Sequence, residues 1–290
     1  MRHRARGFRS LRWLNPRLIS WRRSAAPTRG FLIFLLLFTL PAVAQQRPLV
    51  TEDPRIIPDG ALVTEAGIGY FNRARFPVSG IGGNQLSVLV NGLHFGLGPR
   101  AEFQITGVLH NFLWVKENGT GRRNDWGDFS LSTKIMILRE TSHRPIITFR
   151  PTVILPNTNN DKGLGTDGTH FFGDLLFGKK LGPAFLFGNL GLGILDDAVR
   201  PAAQQDVLSY GMAAILLITP RVSLVSEWHG LKNPQENPTP GGENRDQIRI
   251  GAQVQAGALR WDVGSMAGLT RLDSRAGIVL GVTKEFQLWK

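Results

Sequence analysis

From residue 61 onward the chain is written in short runs of β-type residues, many alternating apolar and polar positions. The runs span 62–71, 85–97, 100–113, 127–138, 145–155, 169–181, 184–195, 206–218, 222–230, 246–257, 259–270 and 275–286. Most match or slightly exceed the roughly 9–11 residues that a tilted strand needs to cross a bilayer. A period of two sorts each strand into two faces. In 127–138, Phe129, Leu131, Ile135 and Ile137 oppose Asp128, Ser130, Ser132 and Lys134. In 145–155, Ile147, Phe149, Val153 and Leu155 oppose Thr148, Arg150 and Thr152. In 246–257, Ile248, Ile250 and Val254 oppose Gln247, Arg249, Gln253 and Gln255, and in 100–113, Phe103, Ile105 and Leu109 oppose Glu102, Gln104, Thr106 and His110. The runs 184–195 and 206–218 are apolar on both faces, and alternation does not orient them.

The connections sharpen this reading. Tight turns fall at 98–99, 182–183, 219–221 and 257–258, and long polar stretches at 72–84, 116–126, 156–168, 196–205 and 231–245. Short and long connections alternate, as periplasmic turns and external loops do in outer-membrane barrels. A β-sandwich, with both ends in water, has no reason to sort its loops in this way. The hairpin at 271–274 departs from the pattern. The expected fold is therefore all-β, a transmembrane antiparallel β-barrel of about twelve strands over 61–290. An even strand count puts both barrel ends on the periplasmic side. Residues 45–60, with Pro48, Pro54 and Pro58, form an extended segment outside the strands. It is expected to sit at or inside the periplasmic mouth and to gate it.

The charge changes the picture only at the N-terminus. The formal net charge is +12, but nine arginines precede Phe31 and no acid occurs before Glu52. An apolar run over 31–40 and the motif Ala42-Val43-Ala44 follow. Basic stretch, short apolar stretch and Ala-x-Ala site are the parts of a secretory signal peptide, expected over 1–44 with cleavage after Ala44. Taking nine positive charges from +12 leaves +3, so no basic surface for nucleic acid is expected on the mature chain. There is no cysteine, hence no disulfide framework. Membrane lipid, the outer-membrane assembly machinery and a small-molecule solute are the expected partners of a monomer in the bacterial outer membrane. The alternating final run 277–286, closing on Phe286, fits recognition by that machinery.

Several short motifs, in order, resemble a known family. They are Arg47-Pro48-Leu49-Val50-Thr51-Glu52-Asp53 followed by Gly60 and Glu65; Gly98-Pro99-Arg100; Gly127-Asp128-x-Ser130-x-Ser132-x-Lys134; and Leu155-Pro156-Asn157. Together they are similar to outer-membrane proteins assigned as transporters of the MetA-pathway of phenol degradation. The resemblance runs thinly from Arg47 to Phe286. It implies a barrel that passes hydrophobic or aromatic compounds and brings no catalytic residues.

Other chemistry finds little support. Gly163, Gly165 and Gly168 spell a dinucleotide-binding pattern but lie in a polar loop leading into a strand, where no helix N-terminus meets a pyrophosphate. Asp161, Asp167 and Asp174 lack the spacing of a calcium loop, and the histidines lack that of a zinc site. No cofactor and no metal are expected. A membrane-embedded lipid hydrolase is the enzyme alternative, yet no histidine is followed two residues later by serine and Gly-x-Ser-x-Gly is missing. A closed barrel with a structural or surface-binding role is the other rival. The expected lumen carries Glu65, Glu102, Gln104, His110, Asp128, Asp174, Glu227, His229, Gln253, Asp262 and Glu285 with Lys134, Arg150 and Arg249. Such a mixture suits either a weakly selective pore or a lumen closed by internal ion pairs.

Overall fold

The computed structural model describes residues 47–200 and 202–289. The expected leader, 1–44, and residues 45 and 46 lie outside them. Thirteen strand segments follow an extended stretch: β1 (Ala61–Phe76), β2 (Ile81–Gly96), β3 (Ala101–Glu117), β4 (Arg122–Asp125), β5 (Phe129–Leu138), β6 (Ile146–Leu155), β7 (His170–Leu181), β8 (Ala184–Asp196), β9 (Gln204–Thr219), β10 (Val222–Lys232), β11 (Arg245–Ala256), β12 (Leu259–Gly268) and β13 (Ala276–Gln287). β4 and β5 pair successively with the same strand, β3, so the thirteen segments build a twelve-strand wall. Between them the chain kinks at Gly127, whose N–H donates to Val108 O at 3.0 Å. A Cβ at Gly127 would lie 2.5 Å from that of Val108, so only glycine lets the backbones approach there.

Every neighbouring pair is antiparallel, and β13 pairs with β1 from Ala61↔Gln287 to Asn72↔Ala276. The ring is closed. The final run is thus the closing strand, bonded on both sides, rather than an ordinary sheet edge. Closure pairs the wall's backbone groups internally, which is what lipid demands.

The outer face explains the alternation. Ile135, Leu192, Met212, Ile250 and Ile278 project from it, exposed. Aromatic residues collect at two levels, Tyr70, Phe112, Trp126, Phe171 and Trp228 toward the external loops, and Phe177, Trp261, Phe286 and Trp289 toward the periplasmic turns. Such paired girdles bound the apolar band of outer-membrane barrels. This is a barrel of the bacterial outer membrane.

Two of the expected long loops prove to be strand. β1 and β2 are separated only by 77–80, and β3 and β4 only by 118–121. Beyond the lipid an alternating strand has no apolar side to display, so its polar sequence reads as loop. Pairing nonetheless continues there, with Arg75 and Glu117 3.2 Å apart.

The two unoriented runs are now placed. Phe185, Phe187 and Asn189 of β8 and Val207, Ser209 and Ala213 of β9 point inward, while Leu186, Leu190, Leu192, Leu208 and Met212 face out. Their inner face is apolar because Phe185, Phe187, Ala213, Val225 and Ile146 pack around Leu49, inside the barrel.

Candidate functional site: a plugged lumen with an external chamber

Leu49 belongs to the segment 47–60, which runs through the lumen before the chain emerges as β1. Its prolines keep it extended and remove backbone donors that the lumen would otherwise have to satisfy. Inner-wall side chains bind many of the remaining backbone groups. The Glu227 carboxylate accepts from Val50 N and Thr51 N at 2.7–2.9 Å. Glu102 Oε2 accepts from Ile57 N at 3.0 Å, Lys134 Nζ donates to Asp53 O and Arg55 O at 2.9 and 2.7 Å, and Thr148 Oγ1 donates to Pro54 O at 2.7 Å. Gln253 Nε2 donates to Arg47 O at 2.6 Å and Arg249 to Pro48 O at 3.2 Å. Asn189, its amide oriented to satisfy both groups, brackets the Glu52 backbone with bonds of 2.8 and 2.9 Å. The segment is held as an extra strand would be, but by side chains.

Charge does the rest. Glu52 lies 3.3 Å from Lys134 and 3.6 Å from Arg150; Lys134 is 3.2 Å from Glu102, Glu102 3.2 Å from His94, His94 3.7 Å from Glu65, and Glu65 3.5 Å from Arg260. The chain of groups crosses from β6 through the plug to β12, with basic and acidic members in turn. Arg47 faces Asp262 at 3.5 Å and Arg249 faces Glu227 at 3.5 Å. Lys134 is 1 % exposed, so its charge depends on these carboxylates rather than on water.

Above the plug lies a chamber of about 380 Å³. Val50 and Thr51 form its floor. Phe172, Ile154 and Leu231 give an apolar side, and Arg150, Asp174, His229, Arg245 and Gln247 a polar one. Asp174 accepts from Ser209 Oγ at 2.5 Å. Three buried atoms of lining residues, Thr51 Oγ1, His229 Nε2 and Gln247 Oε1, have no hydrogen-bond partner among the described residues.

A NanC porin superposes with a TM-score of 0.50 at 8 % identity, covering 77 % of this chain and 98 % of its own. The translocator domain of autotransporter NalP from Neisseria meningitidis gives 0.47 at 13 % identity over 79 % of this chain and 89 % of its own. The β domain of the Bordetella autotransporter BrkA gives 0.45 at 8 % identity over 78 % of this chain and 99 % of its own. No protein-family model matches the chain, and no curated relative does. At 8 % identity the porin speaks to the barrel alone.

The external end is covered. Ser79 Oγ donates to Gly163 O at 2.8 Å, and a Cβ on Gly241 would lie 3.3 Å from Thr166 and 3.4 Å from Val78. Loops 77–80, 156–169 and 233–244 leave the ring at three well-separated places, so these contacts are made across the mouth. Thr239 of the last loop donates to Asp197 at 2.7 Å, tying in 197–203.

Most predicted lumen residues face inward, but as plug holders: Glu65, Glu102, Gln104, Lys134, Arg150, Glu227, Arg249, Gln253 and Asp262 hold the segment or the charge network around it. Asp174 and His229 line the chamber. Two depart from expectation. His110 packs edge-on against Phe112 and Trp126 of the outer face, at 4.7 and 6.4 Å between ring centroids. The inner face of β3 changes there from the Glu102–Gln104 set to Asn111 and Leu113, beside the positive φ of Leu89 on the neighbouring strand, so alternation carried through from Glu102 ends on the wrong side. Asp128 sits in the β4–β5 kink and accepts from Asn157 N, Thr158 N and Thr158 Oγ1, anchoring the external loop rather than lining the pore. The glycine triplet lies in that same loop, Gly163 ending a single 3₁₀ turn. Among the described residues no three metal-ligating side chains cluster.

Inward glycines were missed as functional residues. A Cβ would come within 2.0 Å of Pro58 O at Gly96, 2.7 Å of Pro54 at Gly178, 2.6 Å of Thr51 at Gly211 and 2.9 Å of Pro48 at Gly251. These glycines are the track on which the plug lies.

Proposed function

We propose that this barrel is a gated outer-membrane conduit for small hydrophobic or aromatic solutes, with residues 47–60 as its gate. One observation carries the reading: the floor of the external chamber is the plug itself, so a solute seated there touches Val50 and Thr51. The chamber's size supports a one-ring solute, since an apolar cavity of about 150 Å³ already holds benzene. Its Phe172–Ile154–Leu231 side offers the apolar contact, and the side with Arg150, His229, Arg245 and Gln247 offers polar ones. The resemblance to transporters of the MetA-pathway of phenol degradation adds support for an aromatic solute. The conduit reading sets aside enzymatic function; fatty-acid release by the purified protein would reinstate the hydrolase rival.

Planar-bilayer conductance tests the proposal. The protein purified from outer membranes should show small or rare openings, and a variant lacking 47–59 should conduct steadily, with single-ring aromatics transiently blocking it. If the deletion variant folds, by its heat-dependent gel shift, yet stays silent, the barrel is shut by something other than the plug. The loop contacts at the external mouth favour that second reading, a permanently closed surface barrel.

A further inference from the structure

The outer wall carries a feature unrelated to the lumen. At the periplasmic rim, loop 139–145 and the end of β7 form an open cleft of about 570 Å³ lined by Glu140, Thr141, Ser142, Lys179, Lys180 and Gly182, in which the Glu140 carboxylate is taken up by Lys179 and by the N–H of Lys180 at 2.7 Å. Directly adjoining it, and sharing Lys179, an apolar groove of about 610 Å³ starts at Pro145 and climbs the lipid-facing side of β7–β11. The groove exists because two small outward residues, Ala214 and Ser226, are cross-strand partners. The pairs Met212–Trp228 and Leu216–Leu224 rise on either side of them along the strands, and Leu186 and Ile250 flank them across the sheet.

The rim end is basic. Arg139, Arg144, Lys179 and Lys180 are countered only by Glu140 in this stretch. Glu140 is 3.5 Å from Lys179, whose ammonium also donates to the carbonyls of Thr141 and Arg144. This leaves Arg139, Arg144 and Lys180 without an ion-pair partner among the described residues, and all three are exposed. Basic residues at the headgroup level attract anionic lipid, each by a modest amount that adds up over a cluster.

We infer that this place binds one anionic phospholipid of the periplasmic leaflet. Its phosphate sits in the rim cleft near Lys180 and Arg144, and an acyl chain lies in the groove over Ala214 and Ser226. A basic cleft opens here onto a groove that begins at its edge, so one molecule with an anionic head and an apolar chain fits both. A soluble phosphate would use the cleft and leave the groove without purpose.

Native mass spectrometry of the protein purified from outer membranes tests this, with dioleoylphosphatidylglycerol against zwitterionic dioleoylphosphatidylcholine. One retained phosphatidylglycerol is expected, bound at least tenfold more tightly than phosphatidylcholine. Removing two cations in Arg144→Gln/Lys180→Gln should weaken retention by about tenfold or more, at roughly 1 kcal/mol per basic residue. Both side chains are exposed and unpaired, so the barrel should keep its gel shift. Ala214→Phe, which fills the groove and leaves the cleft intact, should also shed the lipid. Equal retention of the two lipids, or unchanged retention in the double variant, overturns the site. Retention unaffected by Ala214→Phe overturns the groove as the place of the chain.

Discussion

The two halves of the lumen solve the same problem in opposite ways. Toward the periplasm the space is filled: a peptide segment occupies it, and buried carboxylates and cations meet around that segment within 3.2–3.7 Å. Toward the outside the space is left open as a chamber with one apolar and one polar side. One half is built to hold a fixed occupant and the other to accept a variable one. A buried ion pair adds little net stability over an apolar pair but is costly to break, because the surviving charge is stranded. That asymmetry suits a gate, which must stay put until a whole set of contacts is released together.

Breaking the filled half should give the largest effect. Lys134→Met strands the carboxylates of Glu52 and Glu102 and frees the carbonyls of Asp53 and Arg55. A loss of about 3–5 kcal/mol is expected for removing one partner of such a buried pair. The gel-shift temperature should fall clearly, and trypsin added to the folded protein should now cut after Arg55, which is followed by Ile56. An unchanged tryptic pattern would mean the segment is held without Lys134.

Glu227→Ala attacks the boundary between the halves. It removes the acceptor for two adjacent amides, Val50 N and Thr51 N, each costing about 1–3 kcal/mol if left buried and unpaired. Because these residues are the chamber floor, more frequent channel opening is expected, with a fall in gel-shift temperature comparable to that for Lys134→Met, since buried Arg249 also loses its carboxylate. Gly211→Val should act on the same spot sterically, since its Cβ would meet Thr51 Oγ1 at 2.6 Å. Valine suits a strand, so the wall is preserved and the floor alone is displaced, at about 1–3 kcal/mol for overpacking. Equal conductance in wild type and Gly211→Val would show that the plug yields there without opening.

In the open half, Phe172→Ala and Gln247→Leu should leave the gel-shift temperature nearly unchanged, as neither side chain grips the plug. Block by aromatic solutes should weaken in both. If block persists unaltered, solutes bind elsewhere.

The same contrast explains what the sequence made legible. A lipid-facing wall must alternate, and so the strands, their faces and nearly all their turns could be placed from residues such as Ile135 beside Lys134. Above the lipid that rule lapses, which hid the outer ends of β1, β2 and β3. The inner face obeys a different partner. Lys134, Arg150 and Glu227 were recognisable as inward residues, but that they grip Glu52, Val50 and Thr51 depends on where a proline-rich segment comes to rest, and no local pattern states this. The track glycines carried a usable signal: glycine at inward positions of four different strands, Gly96, Gly178, Gly211 and Gly251, marks where a backbone or proline ring passes close by. His110 and Asp128 were misread for the same reason, since a change of face or a kink breaks the period on which the inference stood.

The smallest effect belongs to the cover over the open half. Burial pushes the Asp197 carboxyl up, but hydrogen bonds from Thr239, from the backbone N–H groups of Arg200 and Val199 and from the Arg200 side chain outweigh it and hold the group well below the usual carboxylate range. A group depressed in the folded state stabilises it at every pH above its unfolded value, near 3.9, and loses that contribution only as pH falls through the lower folded value. Loop 197–203 should therefore stay equally protected from hydrogen exchange between about pH 8 and pH 4, after correction for intrinsic rates, because Asp197 remains ionised throughout. Asp197→Asn should expose the amides of Val199 and Arg200 across that whole range and loosen 233–244 through Thr239, while leaving the plug contacts untouched. Wild-type protection that instead fades between about pH 6 and pH 4 would assign the tie to a group of ordinary acidity, and the cover would then respond to external pH independently of the gate beneath it.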